Sequence, residues 1–256
     1  MSTNRIGHSQ LNVFRLHFEG YEDHYVLIGG TATMLLLSEA RLSSRTTKDL
    51  DIVLSIEALT REFVNHFWKF VNEGGYECYK KKNGTKCFYR FQKPTNESFP
   101  FMLELLTDSS IDYDGLNQVV HPLVLDDELI SLSAILLNQE YYQFLMNNKV
   151  KLNGIMVVNE KAIIPLKICA FLDLTKKKSN GESVGSDTIN KHKYDVYRLT
   201  QLLTRTPLNN VPNIIKDEVR LFCSEINDDS NLFSQLSLVI DDIETIKSIL
   251  LNVYCS

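Results

Sequence analysis

Leu11, Phe14 and Phe18 recur at helical spacing in QLNVFRLHFEG, so residues 10–20 predict an amphipathic helix. The β-rich run HYVLI at 24–28 stops at Gly29-Gly30, and the apolar stretch from Thr31 to Ala40 predicts a short helix. After the polar loop SSRTTK, Asp49-Leu50-Asp51-Ile52-Val53-Leu54 alternates with period two and predicts a strand. Phe63, Phe67, Phe70 and Val71 share one face of a helix predicted over 58–73. Two strands follow around Asn83-Gly84, a hairpin signal. Beyond a loop from Pro94 to Ser98, Phe101 to Leu106 predicts a strand with Met102, Glu104 and Leu106 on one face. Val119 to Leu125 predicts another short strand. Residues 126–145 predict a helix that opens on the acidic cap Asp126-Asp127-Glu128 and turns Tyr141, Tyr142 and Phe144 to the core.

The C-terminal part changes character. A β-like stretch at 154–158 leads into a helix predicted from Glu160 to Lys178, with Pro165 in its first turn, where the missing N–H costs little. A polar linker at 179–187 precedes helices separated by Pro207 and Pro212. No repeat or low-complexity tract interrupts this order. The layout predicts an α/β domain over 1–155 and a helical domain over 156–256.

At 256 residues the chain is long enough for a substantial core. With 27 Lys plus Arg against 32 Asp plus Glu, the net charge of -5 argues against nucleic-acid binding by bulk charge. Basic residues nevertheless cluster at Lys80-Lys81-Lys82, at Lys176-Lys177-Lys178, and at Lys191 and Lys193. No apolar run approaches the ~18–20 residues of a membrane span, and MSTNRIGHSQ lacks the apolar run of a secretory signal, so a cytoplasmic protein is expected. The five cysteines form no C-x-x-C pair, although Cys78 and Cys87 lie symmetrically about Asn83-Gly84. His24, His121 and His192 show no metal-ligand spacing.

Chemistry concentrates in I-G-G-T-A-T followed by R-T-T-K-D-L-D-I-V. Residues i and i+2 of a strand share a face, so Asp49 and Asp51 project side by side, roughly 7 Å apart along the chain. Two like charges on a buried strand need neutralising. A divalent cation does so, and Mg²⁺ is suited to one or two carboxylates completed by water and phosphate oxygens. Pairing of these acids with Arg45 and Lys48, or simple exposure, is the plainer alternative. Gly29, Gly30 and Thr31 follow a strand and open a helix, where backbone N–H groups and the Thr31 hydroxyl suit a phosphate. Glu104, an acid within an apolar strand, is the third candidate. Lys167 sits in an apolar helix among Leu166, Ile168, Ala170 and Phe171, aimed at a buried anion or snorkelling to water. Asp195 has Lys191 four residues before it as a possible helix pair.

Strand, G-G-T, helix, R-T-T-K-D-L-D and strand together resemble the nucleotidyltransferase superfamily with the DNA polymerase β-like fold. The form h-G-G-T-A followed by R-x-T-x-D-L-D is most similar to the AbiEii-type, toxin-like branch. I-P-L-K-I-C-A-F-L-D-L and K-H-K-Y-D-V-Y-R-L extend the resemblance, which spans most of 24–200. It implies an α+β fold: a polymerase β-like domain with a mixed sheet and flanking helices, then a helical C-terminal region. It implies metal binding by Asp49, Asp51 and Glu104, with Mg²⁺, or Mn²⁺ in its place. It also implies triphosphate binding by Gly29, Gly30 and Thr31, with Arg45 and Lys48 beside them. Lys167 matches the lysine that contacts nucleotide phosphates, and Asp195 matches the later motif acid. One departure stands out: the second acid of that last motif is absent, and Arg198 lies close to its place.

The expected activity is transfer of an NMP from an NTP to an acceptor hydroxyl. The resemblance makes an RNA such as transfer RNA the acceptor and an antitoxin the partner, without a membrane. A small-molecule acceptor of the aminoglycoside kind is the rival enzyme reading. A non-catalytic nucleotide- or partner-binding module is the rival outside catalysis.

Overall fold

The computed structural model describes residues 7–80, 86–108, 120–125, 128–227, 233, 236, 238–240 and 242–256. The Asn83-Gly84 turn, Lys81, Lys82 and the cap residues Asp126 and Asp127 lie outside them. The chain packs into two compact units. Unit 1 comprises Met1–Ala32 and Arg45–Val158, and unit 2 comprises Thr33–Ser44 and Asn159–Ser256.

Among the described residues unit 1 holds a mixed sheet of nine strands: β1 (Tyr25–Ile28), β2 (Asp49–Leu54), β3 (Glu77–Lys80), β4 (Lys86–Gln92), β5 (Met102–Asp108), β6 (Val120–Leu125), β7 (Glu128–Leu137), β8 (Lys149–Leu152) and β9 (Ile155–Val158). Seven run in the order β3-β4-β5-β2-β1-β9-β8, while β7 pairs with β5 and β6 with β7. Helices α1 (His8–His17), α3 (Arg61–Gly74) and α4 (Gln139–Met146) complete the unit with the first turn of α2 (Gly29–Glu39). Val26, Leu27, Leu50, Val53, Leu103 and Leu105 are fully buried in the sheet. Phe14 of α1, Phe18 at its C-terminal cap, and Phe63, Phe67 and Phe70 of α3 are as deeply buried. The Phe14 ring meets Tyr25 and Phe70 edge-on at 5.3 and 5.7 Å. Burying each such ring is worth about 1.5–3 kcal/mol. Helix α3 starts where the Thr60 hydroxyl accepts from the Phe63 N–H, and it stops at Gly75 in the left-handed region. Tyr141, Tyr142 and Phe144 are buried as expected.

The predicted helix over 126–145 is corrected. Residues Glu128–Leu137 form β7, and only Gln139–Met146 is helical. Among the described residues β5 has no β4 partner beyond Glu104, and β7 fills that edge in parallel through Leu106↔Ile135 to Asp108↔Leu137. Unpaired backbone groups of a central strand decide the matter over local helix propensity. The helix signal belongs to Asn138, whose side chain accepts from the N–H groups of Glu140 and Tyr141. β8 is an addition to the predicted elements. It joins β9 through Asn153 (φ 50) and Gly154 (φ 83), with Leu152↔Ile155 closing a two-residue hairpin. In the β3–β4 hairpin, Cys78 pairs in register with Phe91 and Tyr79 with Cys87, so Cys78 and Cys87 are not cross-strand partners.

Unit 2 contains the rest of α2 with α5 (Glu160–Ser179), α6 (Ser186–Thr200), α7 (Asn213–Glu225) and α8 (Ile243–Cys255). Its core includes Ile163, Ile164, Ile168, Val196, Ile215, Val219, Phe222, Ile246 and Leu250. Pro165 lies in the second turn of α5 rather than the first, because the helix starts at Glu160 under the Asn159 cap. A proline there leaves the carbonyl four residues back without its helical donor. That carbonyl, on Lys161, accepts instead from the fully buried Tyr254 hydroxyl at 2.9 Å. Among the described residues no helix is long and apolar enough to cross a membrane.

Candidate active site

Unit 1 gathers its acids where three strands meet. β2 lies between β1, antiparallel, and β5, parallel. Asp49 and Asp51 are half-buried on one face of β2, while Leu50 and Ile52 fill the other. Register places Glu104 of β5 directly beside Asp51, so the three carboxylates share one face of the sheet. β5 is flanked by β2 and β4 at this point, so Glu104 lies on an interior strand of the sheet.

The glycine turn is built around Asp51. Gly29 follows β1 with φ +68, and a Cβ placed on it would fall 1.7 Å from Asp51 Oδ2. Glycine is therefore required twice, for its backbone and for the space the carboxylate uses. A Cβ on Gly30 would fall 2.7 Å from Thr47 Oγ1 and 3.1 Å from Arg45 Nη2, so the Arg45 guanidinium lies against the turn. Thr31 is fully buried, and its hydroxyl donates to the Asp49 carbonyl at 2.7 Å. It ties the glycine turn to the start of the acidic strand. Lys48 places Nζ 3.9 Å from the centre of the Phe101 ring.

Asp49 is the electrostatically exposed member. Its Oδ1 is buried and has no hydrogen-bond partner among the described residues. Burial pushes its carboxyl above the usual carboxylate range. Lys48 pulls it back, Glu104 adds to the rise, and Arg45 and Arg90 oppose it. A buried carboxylate oxygen with no donor suits a divalent cation, as does an all-oxygen donor set. Asp49 and Asp51 could hold it, with phosphate oxygens completing the sphere. Among the described residues no three His, Cys, Asp or Glu side chains converge as a ready cage. Glu104 is engaged by Arg90, whose Nε donates to Oε1 at 2.7 Å and whose Nη2 donates to the same oxygen. Arg90 carries no signal in the sequence, since its place beside Glu104 follows from β4–β5 register.

Unit 2 has its own charged cluster. Lys167 Nζ lies 3.0 Å from Asp195 Oδ2, and Arg198 Nη1 lies 3.7 Å from Oδ1. Asp195 is fully buried and Lys167 nearly so. Both observed ion pairs of Asp195 are thus with Lys167 and Arg198 rather than with Lys191. Arg198, at the place of the missing motif acid, is drawn to the acid that remains.

Residues 13–247 match the family model described as nucleotidyl transferase AbiEii toxin, type IV toxin–antitoxin system. The chain belongs to the AbiEii nucleotidyltransferase toxin family. This AbiEii chain is similar in structure to an antigenic nucleotidyltransferase-like protein from Paracoccidioides brasiliensis. The two are 15% identical with a TM-score of 0.48, over 92% of this chain and 96% of that one. No curated protein matches the sequence. AbiEii membership makes the protein a transferase and implies an antitoxin as its partner. The fold fits the α+β class expected for AbiEii proteins: a mixed sheet with flanking helices, followed by a helical region.

Proposed function

We propose that this AbiEii protein transfers an NMP from an NTP to an acceptor hydroxyl, with RNA as the acceptor. The observation that carries the reading is the placement of Asp49, Asp51 and Glu104 on one face of adjacent strands, beside a glycine turn. Asp49 and Asp51 would hold Mg²⁺ or Mn²⁺, which when bound offsets negative charge on the phosphates. Gly29 and Gly30 would admit the triphosphate close to the backbone, with Arg45 and Lys48 supplying positive charge. Lys167 is proposed as a further counter-charge on the family resemblance alone. Glu104 would accept the proton of the acceptor hydroxyl as its oxygen bonds to the α-phosphorus. The bond from that phosphorus to the bridging oxygen then breaks, and pyrophosphate leaves. Catalysis would come mainly from positioning and electrostatics.

RNA is preferred for the lysines of α5 and α6. Of these, Lys177 is paired with Asp173, while Lys191 and Lys193 lie on the helix that carries Asp195. The test incubates the protein with each α-labelled NTP, Mg²⁺ and total cellular RNA. Label should enter RNA, and the Asp49→Ala, Asp51→Ala double variant should lose at least about 100-fold of that rate. Label entering only a cationic small molecule would replace the acceptor. No Mg²⁺–NTP binding by calorimetry would reduce the protein to a binding module.

A further inference from the structure

A row of charge crosses three strands on the acidic face of unit 1. Arg90 of β4 stands opposite Glu104 of β5, and Glu104 stands beside Asp51 of β2. Neighbouring strands are about 4.8 Å apart, so each side chain in the row reaches the next. Glu104 has two neighbours to choose between: the Asp49–Asp51 pair on one side and Arg90 on the other. The structure records the choice. Nε and Nη2 of Arg90 both donate to Glu104 Oε1, a charge-assisted fork that fixes the carboxylate toward β4. The pair is largely shielded from water, with the Glu104 side chain 16% and the Arg90 side chain 32% exposed. Consistently, no three acidic, His or Cys side chains converge among the described residues, although register puts Glu104 next to Asp51.

We propose that Arg90 is a positioning residue that latches Glu104 away from the cation site, so that Asp49 and Asp51 form that site alone until the cation–triphosphate arrives and draws Glu104 in. The proposal rests on the nucleotidyltransferase reading of the acidic face. A latch of this kind makes the third carboxylate available only with substrate. It also leaves a five-donor guanidinium released beside a group rich in phosphate oxygens, which its fork matches. An ordinary cross-strand ion pair would do neither. Its loss would weaken the sheet and change cation binding only through the positive charge removed, an effect that Arg90→Lys would not show.

The test is Mn²⁺ binding followed by electron paramagnetic resonance on full-length, metal-stripped protein. Without nucleotide, Glu104→Gln should leave the Mn²⁺ affinity unchanged. Arg90→Gln should tighten it about tenfold, the scale of an outer-shell partner's effect on a metal site. Adding Glu104→Gln to Arg90→Gln should cancel that gain. With a non-hydrolysable NTP analogue, Glu104→Gln alone should weaken Mn²⁺ binding. Arg90→Lys keeps the charge and loses the fork. If it behaves like Arg90→Gln the latch is supported, and if it behaves like the wild type the effect is charge alone and the proposal fails. Unchanged or weaker binding in Arg90→Gln also overturns it, as does a loss in Glu104→Gln without nucleotide. Asp49→Ala separates the two readings. If it leaves Mn²⁺ binding intact, the cation site itself is wrong. If it abolishes binding while Arg90→Gln fails to tighten it, only the latch falls.

Discussion

Gly29 meets two demands with one missing atom. Its φ of +68 strains any side chain, and its Cα surface is where the Asp51 carboxylate rests. Gly29→Ala should therefore cost about 1–3 kcal/mol of stability from backbone strain. It should also displace Asp51, and an error of that size in a positioned group costs about 100-fold in rate. A urea melt beside the label-transfer assay checks both. Thr31→Val should keep the fold and slow transfer, since its hydroxyl holds the Asp49 carbonyl and the substitution removes only that bond. The acids and glycines were legible because their chemistry is local: D-L-D within a strand and G-G-T after one. Arg90 was not, because no spacing in the chain says which residue of β4 will stand opposite Glu104. Thr47, whose hydroxyl crowds Gly30, was hidden for the same reason.

At the scale of elements, caps and edges decide what periodicity leaves open. β7 carries an apolar run that fits either state, and the open edge of β5 selects the strand. β8 was legible in principle from Asn153-Gly154, the same dipeptide class that marked the first hairpin. The β1–turn–α2 passage and β2 were legible outright, since their apolar runs have clear ends. In α5 the proline's unmet carbonyl is answered by a residue from the far end of the chain, a pairing no local pattern announces. Tyr254→Phe should cost about 0.5–1.5 kcal/mol in a denaturant titration, the net worth of the hydrogen bond that the half-buried Lys161 carbonyl would lose. Helix α8 begins where Asp242 accepts from the Thr245 N–H and hydroxyl, and these bonds hold its carboxyl below the ordinary 3.8. A depressed carboxyl stabilises the fold above its unfolded value, and the gain is lost as pH falls through the native one. The thermal midpoints of wild type and Asp242→Ala should differ at pH 7 and converge as the solution is acidified below pH 3.8.

For the whole molecule the informative feature is how the chain is shared out. Thr33–Ser44 belongs to unit 2, although it sits in sequence between two strands of unit 1. Met34 and Leu37 of α2, both in unit 2, are buried in the full chain. A fragment ending at Val158 would carry α2 without the helices of unit 2. It should bind a hydrophobic dye that the full chain does not, which a fluorescence titration reads directly. During synthesis, at about 5–20 residues per second, the segment that bears the glycine turn emerges before the helices α5–α8, which follow only after β9. A nascent or prematurely terminated chain thus lacks its helical unit. A chain released just after β9 carries the glycine turn and the acidic strands but neither Lys167 nor Asp195.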